Sequence, residues 1–287
     1  MSETDWIYLN GAFLPASEAR ISPFDRGFLF AQSVYEVTSV YAGKLIDFDL
    51  HMARLKRSLA GVEIAAPEID FAVVHQDLIT RNQLDEGLVY VQVTAGEHGP
   101  RDFYGPEQLT PCVFMFASHR ELIGDVARDG LTAISQDDTR WKRRDYKTTQ
   151  LVSQSLAYRA ARRAGAVTAI MHEDGMITEA ASANLWIVSE DGALVTRNLS
   201  SALLPGITRA RVQALFSGMD IQERAFSLEE LRAAREAFTS STGAMIAPLL
   251  SIDGHLIGDG TPGPITRKVQ AAYYEFIGAD LGAIDWL

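Results

Sequence analysis

The chain has 287 residues, of which 47% are hydrophobic and 22% charged, and its formal net charge is −11. This composition indicates a globular protein with room for two domains and excludes a disordered or fibrous chain. The acidic balance disfavours nucleic acid and anionic membranes as partners, because both select basic surfaces. A single cysteine, Cys112, rules out an intrachain disulfide, and no apolar run is long enough to span a bilayer. We therefore expect a cytoplasmic protein.

The first 120 residues predict a layer of strands and helices. Asn10-Gly11, between two apolar segments, is a strong β-hairpin signal. The segment from Ser22 to Phe30 is predicted as a loop, and the alternating segment from Val34 to Tyr41 as a strand. Asp47 or Asp49 is expected to cap a helix. A second helix from Pro67 and strands at Leu88–Thr94 and Cys112–Ala117 follow.

A long loop and a polar stretch divide the middle of the chain. Residues 96–111 connect two strands and are rich in glycine and proline, which is typical of functional loops, and Arg101 lies in the middle. Residues 121–130 are polar and are predicted to be a linker. The expected domains are therefore an N-terminal α/β domain over 1–120 and a C-terminal cofactor-binding, barrel-like domain over 131–287.

The second half predicts a helix followed by several hairpins. A helix is expected from Thr149 to Ala164, and Asp-Gly turns are expected at residues 174–175, 191–192 and 253–254. Ser227 begins a capping box. The fold class is α/β, with an α+β layer domain followed by a hairpin-rich, barrel-like domain.

Lys147 is the first candidate for chemistry. The chain has only five lysines, and Lys147 immediately precedes an apolar helix face. An amine at a buried boundary has a lowered pKa and is a usable nucleophile. Taken alone, a lysine beside Arg143 and Arg144 is more often a surface charge, and Glu179, in a run of small residues, is more often a capping acid.

Two glycine and hydroxyl segments are candidate phosphate sites. Gly206 precedes Ile207 and Thr208 at a predicted helix start, where free backbone N–H groups suit an anion. An ordinary threonine N-cap is the competing interpretation. Residues 239–243 end a strand with hydroxyls and a glycine. The sequence has no zinc-ligand spacing, Walker motif or GxGxxG motif.

Taken in order, these motifs resemble the fold type IV pyridoxal-phosphate transaminases, most closely the D-amino-acid transaminases. The resemblance runs through YLNGAF, DRGF, SVYEV, HMARL, RDYKTTQ, GMITEAASANLW, LLPGITR, TSST and IDGHLIGDGTPGPITRK. It implies that Lys147 holds pyridoxal 5'-phosphate covalently and moves the substrate proton. It also implies that Glu179 pairs with the pyridine nitrogen and that Arg54 binds the phosphate. The other implied cofactor contacts are Ile207, Thr208, Ser182 and Thr242.

The same resemblance implies a substrate pocket with Tyr35, Tyr90 and Arg101. The chain departs from the family where relatives have glycine-aspartate-glycine, since it has Ala31-Gln32-Ser33. It also has Phe103 where D-amino-acid transaminases place a histidine after the carboxylate-binding arginine.

The implied reaction is a ping-pong transfer of an amino group between D-amino acids and 2-oxo acids such as pyruvate or 2-oxoglutarate, carried out by a homodimer. Four alternatives stay open. They are a branched-chain L-amino-acid transaminase, an (R)-amine transaminase, an aminodeoxychorismate lyase and a non-catalytic cofactor-binding protein.

Overall fold

The structure is a computed structural model that describes residues 5–99, 101–106 and 108–287. The chain divides into two compact units, Met1–Glu121 with Tyr146–Gln150, and Leu122–Asp145 with Leu151–Leu287. The short segment that carries Lys147 therefore belongs to the first unit. Within the described ranges, no helix combines the length and the apolar character needed to cross a membrane.

The first unit is built on a six-stranded antiparallel sheet. Its strands are β1 (Trp6–Leu9), β2 (Ala12–Pro15), β3 (Ser33–Tyr41), β4 (Lys44–Leu45), β5 (Gly87–Thr94) and β6 (Cys112–His119). Their order across the sheet is β2-β1-β6-β5-β3-β4. The helices are α1 (Arg26–Phe30), α2 (Phe48–Gly61) and α3 (Phe71–Arg81), and a 3-10 turn covers Ala16–Glu18.

One face of this sheet forms the core of the first unit. Because side chains alternate along a strand, every second residue of β3, β5 and β6 points to the same side. Most of these positions are apolar, with Glu36 and Thr38 of β3 as polar exceptions, and they are buried together with the inner faces of α2 and α3. The core includes Val34, Val40, Leu55, Leu59, Leu78, Val89, Val91, Val93 and Met115. The opposite face carries Tyr35 and Tyr90, which leaves them available to a site.

Most predicted elements of this unit are confirmed, and three details are wrong. The Asn10-Gly11 hairpin is present. The predicted loop at 22–30 contains helix α1, which begins because the Asp25 carboxylate accepts a hydrogen bond from the Gly27 N–H at 2.7 Å. Asp47 occupies the N-cap position of α2 but makes no side-chain cap bond. Helix α3 begins after Asp70 instead of at Pro67.

The second unit is built on a curled sheet. Its strands are β7 (Leu131–Asp137), β8 (Thr168–Glu173), β9 (Met176–Ala180), β10 (Asn184–Val188), β11 (Leu194–Thr196), β12 (Ile221–Glu223), β13 (Glu236–Ser241), β14 (Met245–Ile252) and β15 (His255–Leu256). The order is β12-β11-β10-β13-β14-β7-β8-β9, with β15 on β14. A bridge between Ala180 and Ala183 brings the end strand β9 back to β10, so the sheet curls.

Helices surround this sheet within the second unit. They are α4 (Asp125–Asp129), α5 (Val152–Arg163), α6 (Ile207–Leu215), α7 (Leu228–Arg232) and α8 (Pro264–Phe276), with a 3-10 turn at Leu281–Ala283. The three predicted Asp-Gly turns are present, and the Ser227 hydroxyl caps α7 as predicted. Helix α4 lies within the predicted linker. Helix α5 begins at Val152, later than the predicted Thr149.

Candidate active site

Lys147 lies in a segment that pairs with the edge of β3. The Tyr35 N–H donates to the Lys147 carbonyl at 2.9 Å, and the Thr149 N–H donates to the Ser33 carbonyl at 3.2 Å. Strand β4 pairs only with Val40 and Tyr41, at the far end of β3. The N-terminal half of β3 therefore offers backbone groups to residues 147–149, and their pairing fixes the position of the lysine.

The Lys147 side chain is set apart from the other lysines by its burial. It is half-buried, whereas the remaining four lysines of the chain are exposed. Its Nζ lies 4.3 Å from the centre of the Tyr35 ring, close enough for a cation–π contact. The structure thus places an amine against an aromatic ring and partly shields it from water.

An aromatic row continues from Tyr35 across the sheet. Tyr35 stacks on Tyr90 with ring centres 5.5 Å apart, and Tyr90 stacks on Phe116 at 4.9 Å. The Tyr90 hydroxyl donates to Gln92 at 2.8 Å, and burial, followed by the nearby Tyr35, raises the pKa of Tyr90. The structure therefore brings Tyr35, Tyr90 and Lys147 together, with the Tyr90 phenol un-ionised at neutral pH.

Arg54 lies on helix α2 and is buried in an ion pair with Glu36. Its Nε and Nη2 contact the two carboxylate oxygens of Glu36 at 2.6 and 2.9 Å, and His51 Nδ1 lies 2.8 Å from the second oxygen. Burial alone would raise the pKa of Glu36, but Arg54 and then His51 outweigh it and lower that pKa to about 2. Arg54 is therefore a fixed, bidentate cation and does not extend to the surface.

Arg101 is exposed and lies over two aromatic rings of the first unit. Its guanidinium is 5.0 Å from the centre of Phe30 and 4.8 Å from that of Phe103. Arg26 braces this loop by donating to the carbonyls of Asp102 and Phe103. Pro100, which precedes Arg101 in the sequence motif, lies outside the described residues. The aromatic side chain that replaces the family's histidine thus supports the arginine from one side.

Glu179 is the central polar group of the second unit. It lies on β9, is 4% exposed, and contacts the Arg140 guanidinium. Asn184 Nδ2 donates to its carboxylate at 3.2 Å, and the Leu204 N–H donates at 3.3 Å. Burial raises the pKa of Glu179, while Arg140 opposes that rise. A buried carboxylate held by three donors is a rigid acceptor.

Arg140 is held in turn by a second buried carboxylate. Its Nε and Nη2 contact Asp138 at 2.9 and 2.6 Å. The Thr178 hydroxyl donates to the same carboxylate at 2.6 Å, and Arg144 lies 3.4 Å from it. Burial would raise the pKa of Asp138, but Arg140, Thr178 and Arg144 together lower it. This network is not apparent from the sequence, because several of its residues lie in an arginine-rich stretch that resembles a solvated surface.

The start of α6 is closely packed against Asn184 in the second unit, and an uncapped helix start is chemically suited to an anion. The Gly206 N–H donates to Asn184 Oδ1 at 3.1 Å, and a Cβ at Gly206 would lie 2.1 Å from that atom. The helix has no side-chain cap, so its first N–H groups, including those of Ile207 and Thr208, have no capping partner of that kind. Asn184 therefore joins the buried Glu179 to the helix start.

The two remaining predicted positions lie in turns of the second unit. Thr242 is half-buried and follows β13. Ser182 is exposed between β9 and β10, where its hydroxyl lies 2.5 Å from that of Tyr158. The sequence-predicted residues thus form two sets, with Lys147, Tyr35, Tyr90, Arg54 and Arg101 in the first unit and Glu179, Ser182, Ile207, Thr208 and Thr242 in the second.

Comparison with known proteins decides the family. The amino-transferase class IV model matches residues 33–252, which include every residue of both sets. The chain belongs to the class IV aminotransferases. This class IV aminotransferase is 35% identical to D-alanine aminotransferase of Bacillus licheniformis over 93% of its own length and 95% of the relative's. It is 32% identical to D-alanine aminotransferase of Listeria monocytogenes, covering 98% and 99% of the two chains.

Solved structures of the same architecture support the fold. The branched-chain amino acid aminotransferase of Escherichia coli superposes with a TM-score of 0.87 at 26% identity, covering 96% of this chain and 95% of that one. The branched-chain aminotransferase of Thermoproteus uzoniensis, solved with norvaline, gives a TM-score of 0.81 at 25% identity, with coverage of 98% and 97%. The predicted family, fold class and transaminase activity are confirmed.

The donor set of this class IV aminotransferase fits pyridoxal 5'-phosphate, on which the family depends. The cofactor has an aldehyde, a pyridine nitrogen and a phosphate. A half-buried lysine, a buried carboxylate and an uncapped helix start are groups of matching chemistry. Amino acids and 2-oxo acids are the substrate classes of the family.

Proposed function

We propose that this chain transfers amino groups between D-amino acids and 2-oxo acids, such as pyruvate or 2-oxoglutarate, by a ping-pong mechanism. The observation that carries the chemistry is Lys147, the one half-buried lysine, with its backbone paired to β3. The preference for D-amino acids is supported by relatives named D-alanine aminotransferase, which are 31–35% identical over more than nine-tenths of the chain.

Lys147 has two tasks in this proposal. Its amine holds the cofactor and then carries the proton that leaves the substrate α-carbon. When bound, pyridoxal phosphate supplies the electron sink for that deprotonation. The Tyr35 ring, 4.3 Å from Nζ, limits where the amine can move. The backbone pairing with β3 holds the lysine in place at each turnover, so little ordering remains for the reaction itself.

The other cofactor contacts are assigned by their chemistry. Glu179, buried and anchored by three donors, would accept a hydrogen bond from the protonated pyridine nitrogen. Arg54 contributes a cation to the phosphate, and Ile207 and Thr208 contribute helix-start N–H groups. Thr242 and Ser182 contribute hydroxyls.

Two aromatic rings and an arginine form the proposed substrate pocket. Tyr35 and Tyr90 provide a flat wall for the substrate side chain, and Arg101 binds the substrate carboxylate. A branched-chain L-amino-acid transaminase is a second candidate. It is favoured by the apolar row from Tyr90 to Phe116 and by the likeness to the Escherichia coli branched-chain enzyme.

Borohydride reduction of the protein loaded with pyridoxal 5'-phosphate tests the lysine. We expect the mass of the reduced cofactor on the peptide that contains Lys147, and the Lys147→Ala variant to carry none. Lys142→Ala serves as the matched control, because Lys142 is exposed and only five residues away. A tag on Lys142, or no tag on the wild type, would contradict the proposal.

Half-reactions followed by visible absorbance test the substrate. The panel is D-alanine, D-glutamate, L-leucine, (R)-1-phenylethylamine and aminodeoxychorismate. We expect the two D-amino acids to convert the cofactor fastest. Faster conversion by L-leucine would instead favour the branched-chain candidate, and no conversion by any amino acid would reject transamination.

We also propose a cytoplasmic homodimer. The support is the resemblance to dimeric transaminases and a single cysteine, Cys112, which forms no disulfide. Light scattering of the purified protein tests the dimer directly, since it returns the mass of either one or two chains of 31.5 kDa.

A further inference from the structure

Arg140 connects two buried carboxylates of the second unit. One edge of its guanidinium, Nε and Nη2, forms a fork with Asp138, and the remaining nitrogen, Nη1, contacts Glu179. Asp138 is itself fixed by the Thr178 hydroxyl at 2.6 Å. A planar guanidinium that is held along one edge cannot rotate, so the direction of Nη1 is set by Asp138.

The carboxylate at the other end depends on this cation. Glu179 has three donors, and two of them, Asn184 Nδ2 and the Leu204 N–H, are neutral. Arg140 is the charged one. Burial favours the neutral form of a carboxylic acid, and an adjacent cation favours the ionised form. The backbone and amide donors alone would leave Glu179 with a much larger preference for its protonated form.

Arg140 is the cation that contacts Glu179, and the neighbouring charges do not take over its effect. Asp138 is a like charge and raises the pKa of Glu179. Arg144 faces Asp138 at 3.4 Å and forms its short ion pair, 2.6 Å, with Glu173. The side chain of Arg144 is buried, as that of Arg140 is, but its ion pairs are with Asp138 and Glu173. The two arginines differ in one respect that matters, which is contact with Glu179.

We propose that Arg140 is a positioning residue of the reaction: clamped by Asp138, it fixes the Glu179 carboxylate and keeps it ionised for the pyridine nitrogen. The inference rests on the proposed function for the role of Glu179. It assigns to Asp138 and Thr178 the task of orienting Arg140. The arginine does not touch the reacting atoms and acts through Glu179.

A titration of the apoprotein tests the electrostatic part without cofactor. Glutamate labelled with ¹³C at the side-chain carboxyl gives a resonance for Glu179, assigned by its loss in Glu179→Gln. We expect Arg140→Gln to raise the titration midpoint of Glu179 by about one to three pH units, the size of the effect of an adjacent opposite charge. Arg144→Gln, the matched control, should change it by less than half as much. Equal shifts in the two variants, or none in Arg140→Gln, would overturn the proposal.

Epistasis in the half-reaction with D-alanine tests the link to catalysis. If Arg140 acts through Glu179, Arg140→Gln slows the half-reaction, and the double variant with Glu179→Gln is no slower than Glu179→Gln alone. Multiplicative losses in the double variant would overturn the proposal. Should Arg140→Gln fail to fold, Arg140→Lys decides. Lysine keeps a positive charge but cannot form a two-bond fork with Asp138. The titration midpoint of Glu179 should therefore rise less than in Arg140→Gln, while the half-reaction with D-alanine should still be slower than in the wild type. An unchanged rate would contradict the positioning role.

The two proposals fail in distinguishable ways. If wild-type Lys147 takes up no label and no amino acid is converted, the proposed function is wrong, whatever the titration gives. If the wild type transaminates but the Glu179 midpoint is indifferent to Arg140, only the positioning role is wrong.

Discussion

The backbone N–H of Lys147 donates to the hydroxyl of Ser58, 3.1 Å away, and so ties the lysine to helix α2. Ser58 is fully buried, so water cannot replace this bond when the hydroxyl is removed. Together with the pairing of residues 147–149 to β3, the bond fixes the lysine backbone from two elements of the first unit. Neither contact is visible in the sequence, because both partners are far from Lys147 along the chain. Ser58 is 89 residues away, and β3 is farther still.

Ser58→Ala tests this anchor. The Lys147 N–H would lose its partner, and an unsatisfied buried donor costs about 1 to 3 kcal/mol. We expect a lower free energy of unfolding in urea and a slower half-reaction with D-alanine. Thr38→Val is the matched control, because within the described part of the chain the buried Thr38 hydroxyl has no hydrogen-bond partner. An unchanged half-reaction in Ser58→Ala would show that the pairing to β3 is sufficient.

The sequence predicted this fold well wherever the determining contacts are local. Asn10-Gly11 and the three Asp-Gly turns specify hairpins by themselves, and Ser227 specifies its helix start. Helix α1 was missed because Pro23 and Gly27 obscure Asp25, which caps it. Helix α5 begins later than predicted because Thr149 pairs with Ser33, a partner far away in the sequence.

The candidate site was predicted from the family resemblance more than from local pattern. Lys147 and Glu179 stand out in the sequence, but the groups that support them do not. Glu36 lies in an alternating strand, a pattern typical of a surface position, although it is fully buried against Arg54. Asp138 and Arg140 follow a strand within a charged run, and only the fold reveals that their side chains turn inward.

Glu36→Gln is expected to lower the free energy of unfolding by an amount that depends on pH. The change leaves Arg54 buried without its partner charge, which costs about 3 to 5 kcal/mol at pH 7. Glu36 has a pKa of about 2 in the folded protein and an ordinary value of 4.5. Its stabilisation is therefore complete above pH 4.5 and is lost as the pH falls toward 2, because the unfolded state takes up the proton first.

Urea unfolding of the wild type and Glu36→Gln at pH 7, 5, 4 and 3 measures this effect. The difference in unfolding free energy should be constant from pH 7 to pH 5 and shrink below 4.5. A difference that stays constant down to pH 3 would show that the Glu36 charge contributes nothing and that only its shape matters.

Gly206→Ala is expected to displace the start of helix α6 or the asparagine packed against it. Its Cβ would lie 2.1 Å from Asn184 Oδ1, so the asparagine that also contacts Glu179 must move. We expect a weaker affinity for pyridoxal phosphate, measured by equilibrium absorbance titration, together with a lower melting temperature. Gly218→Ala is the control, since a Cβ there meets no atom within 4 Å. Normal cofactor affinity in Gly206→Ala would indicate that Asn184 has room to shift.

Arg101→Ala tests substrate recognition, because the exposed guanidinium lies over Phe30 and Phe103 and is accessible to a carboxylate. If Arg101 binds that carboxylate, kcat/KM for D-alanine should fall by the equivalent of about 2 to 5 kcal/mol. The value for (R)-1-phenylethylamine should change little, because that amine has no carboxylate to bind. Arg20→Ala is the control, because Arg20 is another exposed arginine of the first unit and it donates to the nearby carbonyls of Ser17 and Ala19. Equal losses on both substrates would mean that Arg101 shapes its loop through the two rings and does not bind the carboxylate.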